Sequence, residues 1–206
     1  MRRRSRSNTA MNNLRLSGGA LPSAVWQDGK AWRIRPGARG VLKILRMLAD
    51  TELAPWHKTA LLCEWFYVDG VPPEPLEPFR RFLRMGEADE DVPEDDAPPD
   101  FDYEFDAPEI YASFMQLYRI DLLENDLHWW KFRALLGGCF AAECALSAKL
   151  HLRRMNPDKA DTQTRRAIER VQLPTPESEE EKRMSALISE RLRQGLPIDD
   201  LLKREE

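Results

Sequence analysis

A chain of 206 residues with 42% apolar and 32% charged side chains suits one soluble domain with appendages and argues against a largely disordered or membrane-embedded protein. The net charge of −4 conceals two opposed blocks: residues 1–50 carry eleven Arg and Lys against Asp28 and Asp50, while residues 87–109 carry twelve acids and no base. Three cysteines, Cys63, Cys139 and Cys144, lie in apolar helical sequence and read as reduced, buried thiols.

Residues 1–13 form a basic, Ser-rich arm with nothing to bury and are expected to be disordered. No apolar stretch of the signal-peptide kind follows it. Ser23–Gln27 and Lys30–Arg35 read as two strands joined at Asp28-Gly29, a dipeptide that accepts positive φ in a tight turn. Val25, Trp32 and Ile34 supply its packed face, and a hairpin this small has to lie on helices to be stable. Three helices are predicted next. The first is marked by Val41, Leu42, Leu45 and Leu48. The second starts at Pro55 and carries Leu61, Leu62, Trp65 and Phe66. The third runs from Glu74 to Met85 with Leu76, Phe79, Phe82 and Leu83 as its stripe. The acidic, Pro-rich stretch around 87–102 reads as a linker.

The stretch from Phe101 to Leu150 is the organising core. Asp106 is placed as the N-cap of a helix bearing Ile110, Tyr111, Phe114, Leu117 and Tyr118 on one face. Ile120-Asp121-Leu122 is a connector, Asn125 or Asp126 a second cap, and one long helix is expected from Leu127 to Arg153. Its segment Ala134–Ala142 is apolar all round, which predicts that it is surrounded by other elements or by another subunit. That run of nine residues is far short of the roughly twenty needed to cross a bilayer. Beyond Asn156-Pro157 the chain turns polar. A charged helix at 158–171 and a second at 179–194 precede a short turn, and Leu187, Ile188, Leu192, Ile198, Leu201 and Leu202 form an apolar strip that could dock on the core or on a partner. The expected organisation is therefore mainly α: arm 1–13, a core at 14–155 with a β-hairpin packed on a helical bundle, and a polar helical tail at 156–206.

No catalytic constellation stands out. His57, His128 and His151 lack metalloprotease spacing, no Cys pair has zinc-site spacing, and Cys139 and Cys144 should fall on different faces of one helix. Asp121, Glu124, Asp126 and His128 form the one acid–base-like cluster, which connector and capping roles explain better. No cofactor or metal is expected. The aromatics could stack bases, but acids beside them would repel phosphates, so nucleic acid is not the expected partner.

Asp102-Tyr103-Glu104, Asp106-Ala107, Ile110-Tyr111-Ala112-Ser113-Phe114, Tyr118, Ile120-Asp121-Leu122 and Leu127-His128-Trp129-Trp130-Lys131-Phe132 resemble the bacteriophage gene product fifteen family, as do Leu21-Pro22-Ser23, Asp28-Gly29 and Arg39. The likeness covers about residues 14–155, and the LHWWKF block is its most specific part. It implies a phage or prophage protein encoded in the tail region. The implied role is a non-catalytic tail assembly chaperone that keeps the tape-measure protein soluble in the cytoplasm of the host. Other tail proteins and further copies of the chain are the remaining implied partners. The family motif residues are Tyr103, Asp106, Tyr111, Phe114, Tyr118, Asp121, Leu127, His128, Trp129, Trp130 and Phe132, and the apolar strip of the tail is the expected partner surface. A structural tail component retained in the virion, or a nucleic-acid-binding regulator using Arg2–Arg6, are the other classes considered.

Overall fold

The computed structural model describes residues 20–85 and 100–174, with the isolated positions Leu187, Glu190, Arg191 and Arg193. The arm 1–13 and most of the acidic linker lie outside the described residues, as do Ile188, Leu192, Ile198, Leu201 and Leu202. The chain divides into two units, Met1–Val171 and Gln172–Glu206.

The first unit is mainly helical with a small N-terminal hairpin. Strands β1 (Ala24–Gln27) and β2 (Lys30–Arg33) pair antiparallel in the register Val25↔Trp32 and Gln27↔Lys30. Asp28 and Gly29 both take positive φ, 51° and 76°, the turn geometry whose twist matches that of the strands. Val25 and Ile34 are buried, so one face of the hairpin packs on the helices. Arg35 ties the end of the hairpin to α2 by donating to the carbonyls of Glu64 and Tyr67, at 2.8 and 2.6 Å.

Helices α1 (Ala38–Ala49), α2 (Pro55–Phe66) and α3 (Leu76–Leu83) follow. In α1 the innermost row is Ala38, Val41, Ile44 and Met47; the expected leucines Leu42, Leu45 and Leu48 flank it half-buried. Phe66 meets Phe79 and Phe82 at ring distances of 4.9 and 5.3 Å, closing α2 on α3.

Helix α4 (Ala107–Tyr118) packs on α5 (Trp129–Ala141) and α6 (Ala145–Arg154). The single helix expected from Leu127 to Arg153 is thus two, bent by 59°. The break is built by side chains: Ser147 Oγ donates to the Ala142 carbonyl at 2.6 Å and accepts the Cys144 amide at 3.1 Å. This capping arrangement starts α6 afresh without Gly or Pro at the junction. It also corrects the cysteine reading. Cys144 Sγ donates to the Cys139 carbonyl at 3.1 Å, so the two residues adjoin across the elbow rather than diverging on one helix. Cys139 and Cys144 are buried, and Cys63 is only half-buried. Nor do other elements of the chain enclose the Ala134–Ala142 segment on all sides. Leu136 and Cys139 point inward, while Ala134, Gly137, Phe140 and Ala141 face outward. Gly138 has a local reason: a Cβ there would overlap the Tyr118 hydroxyl, which donates to the Leu135 carbonyl at 2.8 Å.

After a short 3-10 turn at Pro157–Lys159, helix α7 (Thr162–Val171) completes the first unit. It is anchored by buried Ile168 and by Arg153 Nε, which donates to the Val171 carbonyl at 2.6 Å. The expected edge at residue 155 therefore falls inside this unit. In the second unit Gln172–Pro174 are not helical, whereas the described positions Leu187, Glu190, Arg191 and Arg193 are, with Arg193 and Glu190 3.5 Å apart.

Candidate functional site

Two helix N-termini meet where the sequence places its acid–base-like cluster. Pro36-Gly37-Ala38 runs against Leu127-His128-Trp129: the Ala38 amide donates to the Leu127 carbonyl and the Trp129 amide to the Pro36 carbonyl, each at 2.7 Å. Gly37, the N-cap of α1, has no side chain to offer. Asp126 takes over, its Oδ1 accepting the amide of Arg39, 87 positions away in sequence, at 3.1 Å. A Cβ on Gly37 would overlap that carboxylate, so the glycine makes room for its substitute cap. Asp126 thus caps α1, and not the helix that follows it in sequence.

That following helix, α5, is capped by His128. Nδ1 accepts the Trp130 amide at 3.1 Å while Nε2 lies 3.0 Å from the Pro22 carbonyl, to which it can only donate. The two contacts require the neutral imidazole with its proton on Nε2. Burial lowers the pKa of the ring; the Pro22 carbonyl opposes this and Lys131 adds to it. The unfolded chain therefore takes up a proton first as the pH falls, so His128 should cost stability below about pH 6.5. A urea midpoint that drops from pH 7.5 to 5.5 is expected, with a smaller drop in His128→Asn, whose side chain can still cap. Equal drops in both proteins would remove His128 as the cause.

Asp121 organises the connector. Its Oδ1 accepts the Leu123 and Glu124 amides at 2.8 and 3.3 Å, and its Oδ2 accepts the Tyr111 hydroxyl at 3.2 Å. Arg39 grips the same loop, donating to the Leu123 carbonyl at 2.6 Å. Between α1, α4 and this loop lies a cleft of about 250 Å3, walled mainly by Ala38, Leu42, Ile110, Leu122, Leu127 and Phe132. Tyr103, Tyr111, Arg39 and Asp126 stand around it, and Leu123 is 75% exposed at its edge.

The other motif residues build the wall behind it. Phe132 stacks on Phe114 and Trp129, with ring centroids 5.4 and 5.7 Å apart, and all three are buried. Trp129 and Trp130 donate their indole N–H groups to the Leu83 and Phe82 carbonyls at 3.2 and 2.8 Å, pinning α5 to the end of α3. Asp106 occupies the N-cap position of α4 but does not cap. It is fully buried and binds Arg153 at 2.7 Å and Lys149 at 3.0 Å, and it accepts the Asp102 amide. Burial raises its pKa, but the Arg153, Asp102 and Lys149 donors outweigh that and hold the carboxyl below its ordinary range.

The model of the Bacteriophage Gp15 protein family matches residues 19–173. The chain belongs to the Bacteriophage Gp15 protein family. No curated protein and no solved structure matches it. The Gp15 match ends two residues after α7, so it spans the whole described first unit, hairpin, cleft and α7 included.

Within this Gp15 chain the expected partner strip is described only at Leu187, which is helical and 44% exposed. A wider depression of about 610 Å3 sits at the α5–α6 elbow. Its Ser147, Cys144 and Arg154 are engaged in structural contacts, Arg154 with Asp100. Among the described residues no group of three or more His, Cys, Asp or Glu could hold a metal ion, and no single helix is long and apolar enough to cross a membrane. Leu42 and the Asp106 partners Arg153 and Lys149 carry no signal as site residues in the sequence, because their roles depend on residues tens of positions away, and Leu123 is marked only once Arg39 is folded against its loop.

Proposed function

We propose that this Gp15-family chain acts in phage tail morphogenesis as a non-catalytic assembly chaperone that binds the tape-measure protein in the host cytoplasm. Its membership of a bacteriophage family over residues 19–173 carries the reading. The cleft supports it. At about 250 Å3 it is below the range of small-molecule and cofactor pockets, but it suits apolar side chains presented by a helix. A tape-measure protein is a long helical chain with apolar stripes that need cover until the tail tube closes around it. Other tail proteins and a second copy of the chain are further partners on this reading.

Purification of tagged full-length chain from infected cells tests it. The tape-measure protein is expected to co-purify, and mass spectrometry of purified virions should find the chain absent. Stoichiometric chain in virions, without tape-measure protein in the pull-down, would make it a structural tail component instead.

A further inference from the structure

We propose that the cleft between α1, α4 and the Asp121 loop is a docking site for one amphipathic helix carrying an apolar anchor flanked by lysine or arginine. This inference rests on the reading that the chain binds a helical partner, and it names where and by what chemistry.

Leu123 is the first observation. A leucine 75% exposed would ordinarily be of little note, but this one is held in place from two sides. Asp121 Oδ1 holds its amide at 2.8 Å and Arg39 holds its carbonyl at 2.6 Å. The backbone that presents this apolar side chain is thus fixed before any partner arrives, which lowers the ordering cost of binding. It stands beside a concavity walled by Leu42, Ile110, Leu122, Leu127 and Phe132. A helix laying one apolar side chain into that concavity would cover Leu123 with the next turn, three or four residues on.

Charge selects the flanks of the helix. Asp126 and Arg39 line the cleft, and its loop adds the carboxylates of Asp121 and Glu124 with the exposed Arg119 at its start, so acids outnumber bases three to two. Two of the acids are fixed by backbone amides, Asp121 in the loop and Asp126 at the start of α1. Glu124 is exposed next to Leu123. A helix with basic residues beside its anchor meets a complementary rim, while an acidic one meets like charge. The same rim disfavours a two-fold pairing of this face with itself, which would set acids against acids.

The test uses full-length protein and a labelled helical peptide of about 18 residues, five turns long, with leucines at i, i+4 and i+7 and lysines beside them. A second peptide carries glutamates in place of the lysines. Fluorescence anisotropy is expected to show the lysine peptide binding at least about tenfold more tightly than the glutamate peptide. Leu123→Ser should weaken the lysine peptide by about tenfold with an unchanged melting temperature, since the side chain is already in water. Glu124→Lys should narrow or reverse the preference between the peptides. Equal binding of both peptides, or undiminished binding by a fully folded Leu123→Ser protein, would overturn the site. So would a chain whose cleft is shown by sedimentation to be covered by a second copy that Leu123→Ser releases. The two readings fail separately. If tape-measure protein co-purifies equally with wild type and with the Leu123→Ser/Glu124→Lys protein, the site is wrong and the chaperone role stands. Leu123-dependent peptide binding without tape-measure co-purification leaves the site standing and removes the role.

Discussion

Phe132→Ala is expected to lower the stability of the folded protein by about 3–5 kcal/mol, read as a fall in urea midpoint. The side chain is 2% exposed and stacks on Phe114 of α4 and Trp129 of its own helix. Its removal leaves a cavity that its two large neighbours cannot readily collapse to fill, because Trp129 is tied through its indole to the Leu83 carbonyl. Trp130→Ala belongs in the same range and also removes the indole hydrogen bond to the Phe82 carbonyl. Trp130→Phe separates the two effects: it keeps most of the packing and should cost roughly 0.5–1.5 kcal/mol for the lost hydrogen bond, since the Phe82 carbonyl still accepts the Met85 amide. A wild-type midpoint for Phe132→Ala would mean that the aromatic block is not the core.

The second large effect lies at Asp106. Asp106→Ala would remove the carboxylate that Arg153 and Lys149 share, leaving the buried Arg153 guanidinium on backbone carbonyls such as that of Val171 while Lys149 keeps Glu109. Breaking a buried pair by removing one member costs about 3–5 kcal/mol, because the remaining charge is stranded. Replacing Asp106 and Arg153 together by apolar residues of similar volume should recover much of that loss, which a simple cavity would not allow. The pH dependence has a definite sign. The carboxyl is held below its unfolded value, so its contribution is complete above about pH 4 and is lost as the pH falls through its lower folded value. This window lies below that of His128, and the two acid-induced losses should therefore appear as separate steps.

These two predictions mark where sequence reading succeeds and where it stops. Residues whose roles are local were legible. Asp28-Gly29 made the hairpin, the spacing from Ile110 to Tyr118 made α4, and the LHWWKF block marked both the family and the core. What was hidden depends on partners far along the chain. Asp106 looks like a cap because it precedes Ala-Pro-Glu, yet its carboxylate belongs to Arg153, 47 residues on. Asp126 looks like the cap of the helix after it, yet it caps α1, and nothing local shows that Gly37 left a vacancy for it. The elbow between α5 and α6 is made by Ser147 folding back on Ala142 and Cys144, in a stretch whose composition suits an unbroken helix. The cleft was illegible for the same reason: its walls come from α1, α4 and the connector, which only the fold brings together.

The most direct test of the proposed role is co-expression of full-length chain with the tape-measure protein of the same phage. Tape-measure protein expressed alone is expected to aggregate, and with the chain present it should be recovered soluble in a complex that elutes as one species. Tape-measure protein that stays equally insoluble with the chain present, or equally soluble without it, would contradict the chaperone assignment.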